Sequence, residues 1–305
     1  MRIAILSPIY PYRGGIAQFS GMLYAQLVRD GHEVKAFNFK RLYPDLLFPG
    51  KTQYVEEGDQ AMAIPNERVL DSINPLSYFQ TVEAIKAFRP DLLIISYWMS
   101  FFVQHPHPLY DHFGRKMEHG EACARLGINP GHKTLLFFGL IRAYKGLDML
   151  IEAMSLLPDD YQLVVAGECY GSFESYQALI EASPAKERIL VHNQYIHDED
   201  IPAYFSAANA LILPYRSATQ SGVVSVAYHF DLPMVSTPVG DFAQSIGQPQ
   251  TGIVAAEISP KALAESIRTL FTPAWQEALP QRIASEKKAL SWESLTQALY
   301  RFLSL

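Results

Sequence analysis

Apolar residues recur along this chain in two alternating rhythms. Short apolar runs such as Met1-Arg2-Ile3-Ala4-Ile5-Leu6 read as strands, and stretches with apolar residues every three or four positions follow them as helices. Ile16, Phe19, Leu23 and Leu27 keep helical spacing up to a stop at Asp30-Gly31, and Glu33 to Phe39 then alternates as a second strand. A short strand is expected near Ala61-Met62-Ala63-Ile64. Pro75 begins a helix carrying Tyr78, Val82, Ile85 and Phe88, and Asp91 to Tyr97 reads as a strand buried on both faces. At Val103-Gln104-His105-Pro106-His107-Pro108-Leu109-Tyr110 the pattern breaks into extended linker, because proline disfavours helix at itself and at the residue before it. His105 and His107 have no third ligand near them in sequence and read as spacer rather than as a metal site.

From Lys133 onward the alternation is regular. Strands are expected at Leu135–Phe138, Gln162–Ala166, Ile189–His192, Ala210–Leu213 and Met234–Ser236, with Gly252–Ala255 as a further candidate and helices between them. Such alternation implies parallel sheets with crossover helices, whose ligands collect at the carboxyl ends of the strands. Ser291 to Phe302 is a final amphipathic helix with a serine cap. The chain has 305 residues, more than one core usually serves, so two α/β domains are expected. The boundaries read as 1–104, a linker and connecting helix at 105–132, a second domain at 133–288 and a closing helix at 289–305.

Composition narrows the classes. With 49% hydrophobic and 18% charged residues the chain can fill two cores, which argues against long disorder. A net charge of −6 gives no general attraction for nucleic acid or an anionic bilayer, so any phosphate site must be local. Two cysteines, Cys123 and Cys169, make no disulfide framework, and a reducing cytoplasm fits. The apolar start is too short for a signal segment, and no run reaches the roughly 18 apolar residues of a membrane span, which leaves peripheral contact at the inner membrane face as the membrane role still open.

The densest chemistry sits in Phe137-Phe138-Gly139-Leu140-Ile141-Arg142-Ala143-Tyr144-Lys145-Gly146, between an apolar run and a helix carrying Leu147, Leu150, Ile151 and Met154. A strand that ends in a glycine loop at a helix start collects unpaired N–H groups and the positive end of a helix dipole, which favour an anion. Arg142 and Lys145 aim two cations at the same small space, which suits a diphosphate. As an exposed lysine, Lys145 is expected to add little to fold stability. Near the N-terminus, Gly14-Gly15 opens a helix where a phosphate could sit, but lacks the GxGxxG spacing of a dinucleotide site.

These residues resemble the glycosyltransferases of GT-B fold, family 4 type (glycosyl transferases group 1). Arg13-Gly14-Gly15-Ile16 resembles the glycine loop that approaches the donor sugar from the N-terminal domain. Phe138 to Gly146 resembles the segment whose arginine and lysine hold the nucleotide diphosphate, and Asn193-Gln194-Tyr195-Ile196 followed by Leu213-Pro214-Tyr215 and Gly222 to Gly240 completes the match. The resemblance implies two Rossmann-like domains facing across a cleft, with the acceptor on the first and a nucleotide sugar on the second. Its binding residues fall on Gly14, Gly15, Gly139, Arg142, Lys145, Tyr195, Ile196, Gln220, Ser221, Gly222 and Val223.

The implied activity is transfer of a hexose from a nucleotide sugar to a glycan or lipid-linked acceptor, as in cell-surface polysaccharide biosynthesis, retaining, with no cofactor and no obligatory metal. No catalytic residue is assigned. A nucleotide-sugar-binding protein without transfer and a nucleotide-sugar epimerase are the alternatives. Two departures stand out. The family's paired glutamates fall on Ala218 and Val226, leaving Gln220 and Ser221 to supply polar contacts. The linker arrives by His105, as if a block of roughly 60–70 residues, about two βα units, were absent at Phe102–Val103 from a shortened N-terminal domain. Donor binding with weak transfer is then expected.

Overall fold

The computed structural model describes residues 1–42, 52–55, 62–96, 108–218 and 220–302. The chain forms two compact units, Met1–His105 with Trp292–Leu305, and Pro106–Ser291. His105, Pro106, His107, the run from Tyr97 to Phe102 and the Phe102–Val103 junction lie outside the described residues.

The first unit holds a parallel sheet in the order β3-β2-β1-β4, from β1 (Arg2–Leu6), β2 (Glu33–Arg41), β3 (Asn66–Asp71) and β4 (Leu92–Ile95). Ile3, Ala4 and Ile5 are fully buried, because β1 is central and covered on both faces. Helix α1 (Gly15–Arg29) buries Ala17, Leu23 and Leu27. Helix α2 (Pro75–Phe88) is opened by Asn74, whose side chain accepts from the Leu76 N–H, with Pro75 at its first position, and it ends where Arg89 turns left-handed. Its inner side joins Ala84, Ile85 and Phe88 to Ala4, Leu6, Phe37 and Val69.

Two expectations for this unit need correcting. The strand expected near Ala61–Ile64 comes later, at Asn66–Asp71, while Met62 to Pro65 are not strand and Ala61 is outside the described residues. β3 is polar because it is an edge strand: Glu67 pairs with Lys35 at 2.8 Å, and Arg68 donates to the carbonyls of Phe39 and Lys40. The β4 run is not buried on both faces, since Leu93 is 40% and Ile95 55% exposed. Register sets Leu93 beside Ala4 and Ile95 beside Leu6, on the face that α2 covers, but α2 packs mainly over β3 and β2.

The second unit holds a parallel sheet in the order β10-β9-β8-β5-β6-β7. Its strands are β5 (Lys133–Phe138), β6 (Tyr161–Ala166), β7 (Ile189–His192), β8 (Ala210–Leu213), β9 (Met234–Ser236) and β10 (Gly252–Val254). Its helices are α3 (His119–Leu126), α4 (Leu147–Met154), α5 (Glu174–Ala182), α6 (Ile201–Ala207), α7 (Gly222–His229), α8 (Pro260–Leu270) and α9 (Pro273–Ala289). β6 and β8 are buried throughout, and α4 supplies Leu147, Leu150, Ile151 and Met154 to the core. Within the segment read as linker and connecting helix, α3 buries Ala122 and Cys123 against Ala207 of α6. Strand order reverses between β5 and β8, which makes their carboxyl ends the natural ligand site of such a sheet.

The last helix, α10 (Trp292–Phe302), belongs to the first unit. Trp292 is buried with its ring 5.4 Å from that of Phe19 on α1. Farther along, the Tyr300 hydroxyl donates to Asp30 at 2.6 Å and meets His32 Nε2 at 2.9 Å. Burial alone would raise the Asp30 carboxyl, but hydrogen bonds from Tyr300, Thr296 and Gln26 outweigh it and hold the group below the usual carboxylate range. Tyr300→Phe should therefore lower the unfolding free energy of the first unit by about 1 kcal/mol, read from the urea midpoint at neutral pH. A carboxyl with a depressed folded pKa stabilises above its unfolded value and loses that contribution as pH falls below about 4. The wild-type midpoint should thus drop more steeply on acidification than that of Tyr300→Phe.

Candidate functional site

The site grows from the carboxyl ends of β5, β6 and β8. After Phe138 the chain turns through Gly139 at φ 93°, makes one tight turn at Ala143–Lys145, and enters α4 through Gly146 at φ 66°. A Cβ on Gly146 would run into the Pro214 carbonyl, and one on Gly167 into the Gly139 carbonyl, so glycine is required where these backbones meet. The segment after Gly139 continues alongside the one after Gly167: the Ile141 N–H donates to the Glu168 carbonyl at 2.8 Å, and the Tyr170 N–H to the Ile141 carbonyl at 3.1 Å. On its other side, the Arg216 N–H donates to the Tyr144 carbonyl at 2.6 Å, and the Arg216 guanidinium grips both oxygens of Asp148 at 2.8 Å each.

Inside this frame lies Lys145, only 7% exposed. A Cβ on Gly139 would stand 3.2 Å from Lys145 Nζ and 3.8 Å from a Val223 methyl, so the glycine, the ammonium and the first turn of α7 border one small volume. The ammonium also lies 5.5 Å over the Tyr215 ring. Burial, and then the charge of Arg142, push the lysine down to about 8. Ser221 precedes α7 without a side-chain cap, and its hydroxyl is 3.4 Å from that of Tyr215. The first N–H groups of a helix are unsatisfied and carry the positive end of its dipole. Among the described residues neither Lys145 nor Arg142 forms an ion pair with a carboxylate. A buried, unpaired cation beside a helix N-terminus can hold an anion.

The structure thus brings Gly139, Lys145, Ser221, Gly222 and Val223 together, with Gln220 exposed in the same turn and Thr219 outside the described residues. Arg142 is exposed, its guanidinium 4.5 Å over the Tyr170 ring and close enough for its charge to act on Lys145. Lys145 is not the exposed lysine the sequence suggested, because the glycine contacts close the loop over it. Tyr195, half-buried against His197, and buried Ile196 follow β7, two strands away from β5. Gly14 and Gly15 stand exposed at the head of α1 in the first unit, Gly14 at φ 104°. Sequence reasoning missed Tyr170, the bond between Arg216 and Asp148, and the approach of Gly167. An aromatic one residue after Leu213-Pro214 was visible as Tyr215, but its place beneath the lysine was not.

The sequence profile of the family described as Glycosyl transferases group 1 matches residues 132–272. A lipopolysaccharide core biosynthesis mannosyltransferase of Rhizobium meliloti is 28% identical over 155 residues, 48% of this chain and 43% of its own. A D-inositol 3-phosphate glycosyltransferase of Xylanimonas cellulosilytica is 25% identical over 182 residues, 57% of this chain and 43% of its own. The chain spans less than half the length of these curated relatives. Among solved structures, sucrose-phosphate synthase from Thermosynechococcus elongatus superposes with a TM-score of 0.71 at 19% identity, covering 99% of this chain and 98% of its own. Anabaena HepE in complex with UDP-glucose does so with a TM-score of 0.67 at 14% identity, covering 100% and 99%. The fold is therefore that of the GT-B glycosyltransferases, with parallel-sheet, Rossmann-like units.

A buried ammonium without a counter-charge opposes folding wherever it is protonated. Lys145 has a folded pKa below its unfolded value, so its destabilising effect is present at neutral pH and fades as pH rises from about 8 toward the ordinary lysine range. Lys145→Met, which keeps the stem and removes the charge, should raise the unfolding free energy by about 1 kcal/mol or more at pH 7. In calorimetry the gain should shrink by pH 10. Loss of stability in this variant would mean that the charge is paired.

Proposed function

We propose that this chain is a nucleotide-sugar-dependent glycosyltransferase that moves a hexose to a glycan or lipid-linked acceptor with retention of configuration. The observation that carries the reading is Lys145, a nearly buried cation with no carboxylate partner among the described residues, set between the Gly139 turn and the head of α7 at the strand-order reversal. A diphosphate supplies the missing counter-charge, accepts from the free N–H groups of α7 and meets Arg142 at the rim. In this reading Lys145, Arg142 and the helix stabilise the departing nucleoside diphosphate, Tyr195 and Ile196 border the base, and Gln220 and Ser221 give polar contacts in place of the absent glutamates. Gly14 and Gly15, at the head of α1, are the candidates for donor binding in the first unit. Fixed cations do the charge stabilisation, so no cofactor or metal is invoked.

The relatives support the class: they include a mannosyltransferase and inositol-phosphate glycosyltransferases, and one neighbour was solved with UDP-glucose. Our reading keeps the domain division at 1–104, 105–132, 133–288 and 289–305 and a first domain shortened by an absent block. The exposed apolar face of β4 at Leu93 and Ile95 supports the shortening, since a further βα unit would cover it. A cytoplasmic enzyme, peripheral at the inner membrane face, suits a lipid-linked acceptor.

A panel of nucleotide sugars read by thermal shift tests the donor site. One donor at about 100 times its Kd should stabilise the protein by about 2.7 kcal/mol, and the site reading fails if no nucleotide sugar or nucleoside diphosphate shifts the transition. Product analysis with that donor and a broad acceptor set should then show nucleoside diphosphate released with acceptor growth. An open acceptor side admits water and weakens the charge contacts, so transfer should be slow. Turnover in the usual range of about 1–10³ per second would overturn the shortened-domain argument.

A further inference from the structure

Among the described residues the two cations of the site lie over rings and pair with no acid. Arg142 lies 4.5 Å over Tyr170, and Lys145 lies 5.5 Å over Tyr215, both within the reach of a cation–π contact. Tyr215 is a core residue in its own right, 3% exposed and packed edge-on to Phe242 and Tyr144, so its ring has a structural reason to be there. Tyr170 does not: it is half-exposed in the loop after β6 and is no member of the buried core. What fixes its place is backbone. Ile141 bridges Cys169 in parallel, the Tyr170 N–H donates to the Ile141 carbonyl, and the glycines at 139 and 167 let the two segments lie this close. Arg142 and Tyr170 are thereby the next residues along two locked segments.

We propose that Tyr170 is a positioning residue for Arg142, holding its guanidinium at the rim of the site for a bound diphosphate; this rests on the diphosphate reading of the Lys145 site. Arg142 sits close enough for its charge to act on Lys145, so the like charges repel and a free guanidinium would swing out into water. A carboxylate could restrain it, but would neutralise the charge and compete with the anion. An aromatic face restrains it without doing either. The anion then meets a guanidinium whose side-chain freedom is already reduced, which removes part of the ordering penalty of binding.

Titration calorimetry with inorganic pyrophosphate and with UDP, at fixed low salt, tests this on the full chain. Tyr170→Leu should raise the Kd for both probes about 5- to 20-fold, whereas Tyr170→Phe, which keeps the ring, should stay within about twofold of wild type. Both variants should melt near the wild-type temperature, since the residue is half-exposed. In an Arg142→Ala background, Tyr170→Leu should cause no further loss, because the ring acts through the guanidinium. Unchanged affinity in Tyr170→Leu, equal losses in the Leu and Phe variants, or losses that multiply in the double variant would each overturn the assignment. Wild-type protein that binds neither pyrophosphate nor any nucleoside diphosphate would overturn the diphosphate reading, and the assignment with it, a result distinguishable from the others because no variant is needed to see it.

Discussion

The close approach of three backbone segments at the carboxyl ends of β5, β6 and β8 is the constraint on which the second unit's site depends. Gly167 lies against the Gly139 carbonyl and Gly146 against the Pro214 carbonyl, and any side chain at 146 or 167 would push the loops apart. Each of the three glycines also holds a positive φ, so conformation and space demand the same residue. The hydrogen bonds from Ile141 to Glu168, from Tyr170 to Ile141 and from Arg216 to Tyr144 then prolong the sheet's order beyond the last residues of its strands. A loop this firmly held can keep a charged side chain out of water.

That charge is Lys145. Burying an ammonium without an acid opposes folding, and the protein meets the penalty with surroundings that favour a cation only weakly: the face of Tyr215 and the hydroxyl-bearing turn at Ser221. Asp148, in the first turn of α4, is engaged by both nitrogens of Arg216. Stability is thus given up at one residue in a unit whose strands β6 and β8 are buried along their whole length. Such a local departure from good packing is what an anion-binding site requires, since a cation already satisfied by a carboxylate has little affinity left for a phosphate.

The first unit is organised differently. Its sheet is small, its edges are polar at β3 and apolar at β4, and the C-terminal helix is fastened to it by the Trp292 ring and by the bonds among Tyr300, Asp30 and His32. Covering α1 with a helix from the far end of the chain buries apolar surface that four short strands could not enclose alone. Leu93 and Ile95, on the face that α2 covers, show where the cover of that helix runs out.

The sequence by itself determined the strands of the second unit almost to the residue, because central parallel strands are apolar on both faces; Gln162–Ala166, Ala210–Leu213 and Met234–Ser236 were legible for that reason. It also named the Gly139 to Gly146 loop and the turn before α7. It could not place β3, whose Glu67 and Arg68 satisfy an edge rather than a core, nor tell that Leu-Leu-Ile-Ile in β4 is bare on one face, since an apolar run looks the same whether or not anything covers it. Only the tertiary structure decided that Lys145 is buried, that Arg142 turns to Tyr170, and that Asp148 is engaged by Arg216. Those outcomes depend on segments from residues 139 to 223 meeting at one end of a sheet. Burial and charge pairing are properties of that meeting, which no single stretch of sequence contains.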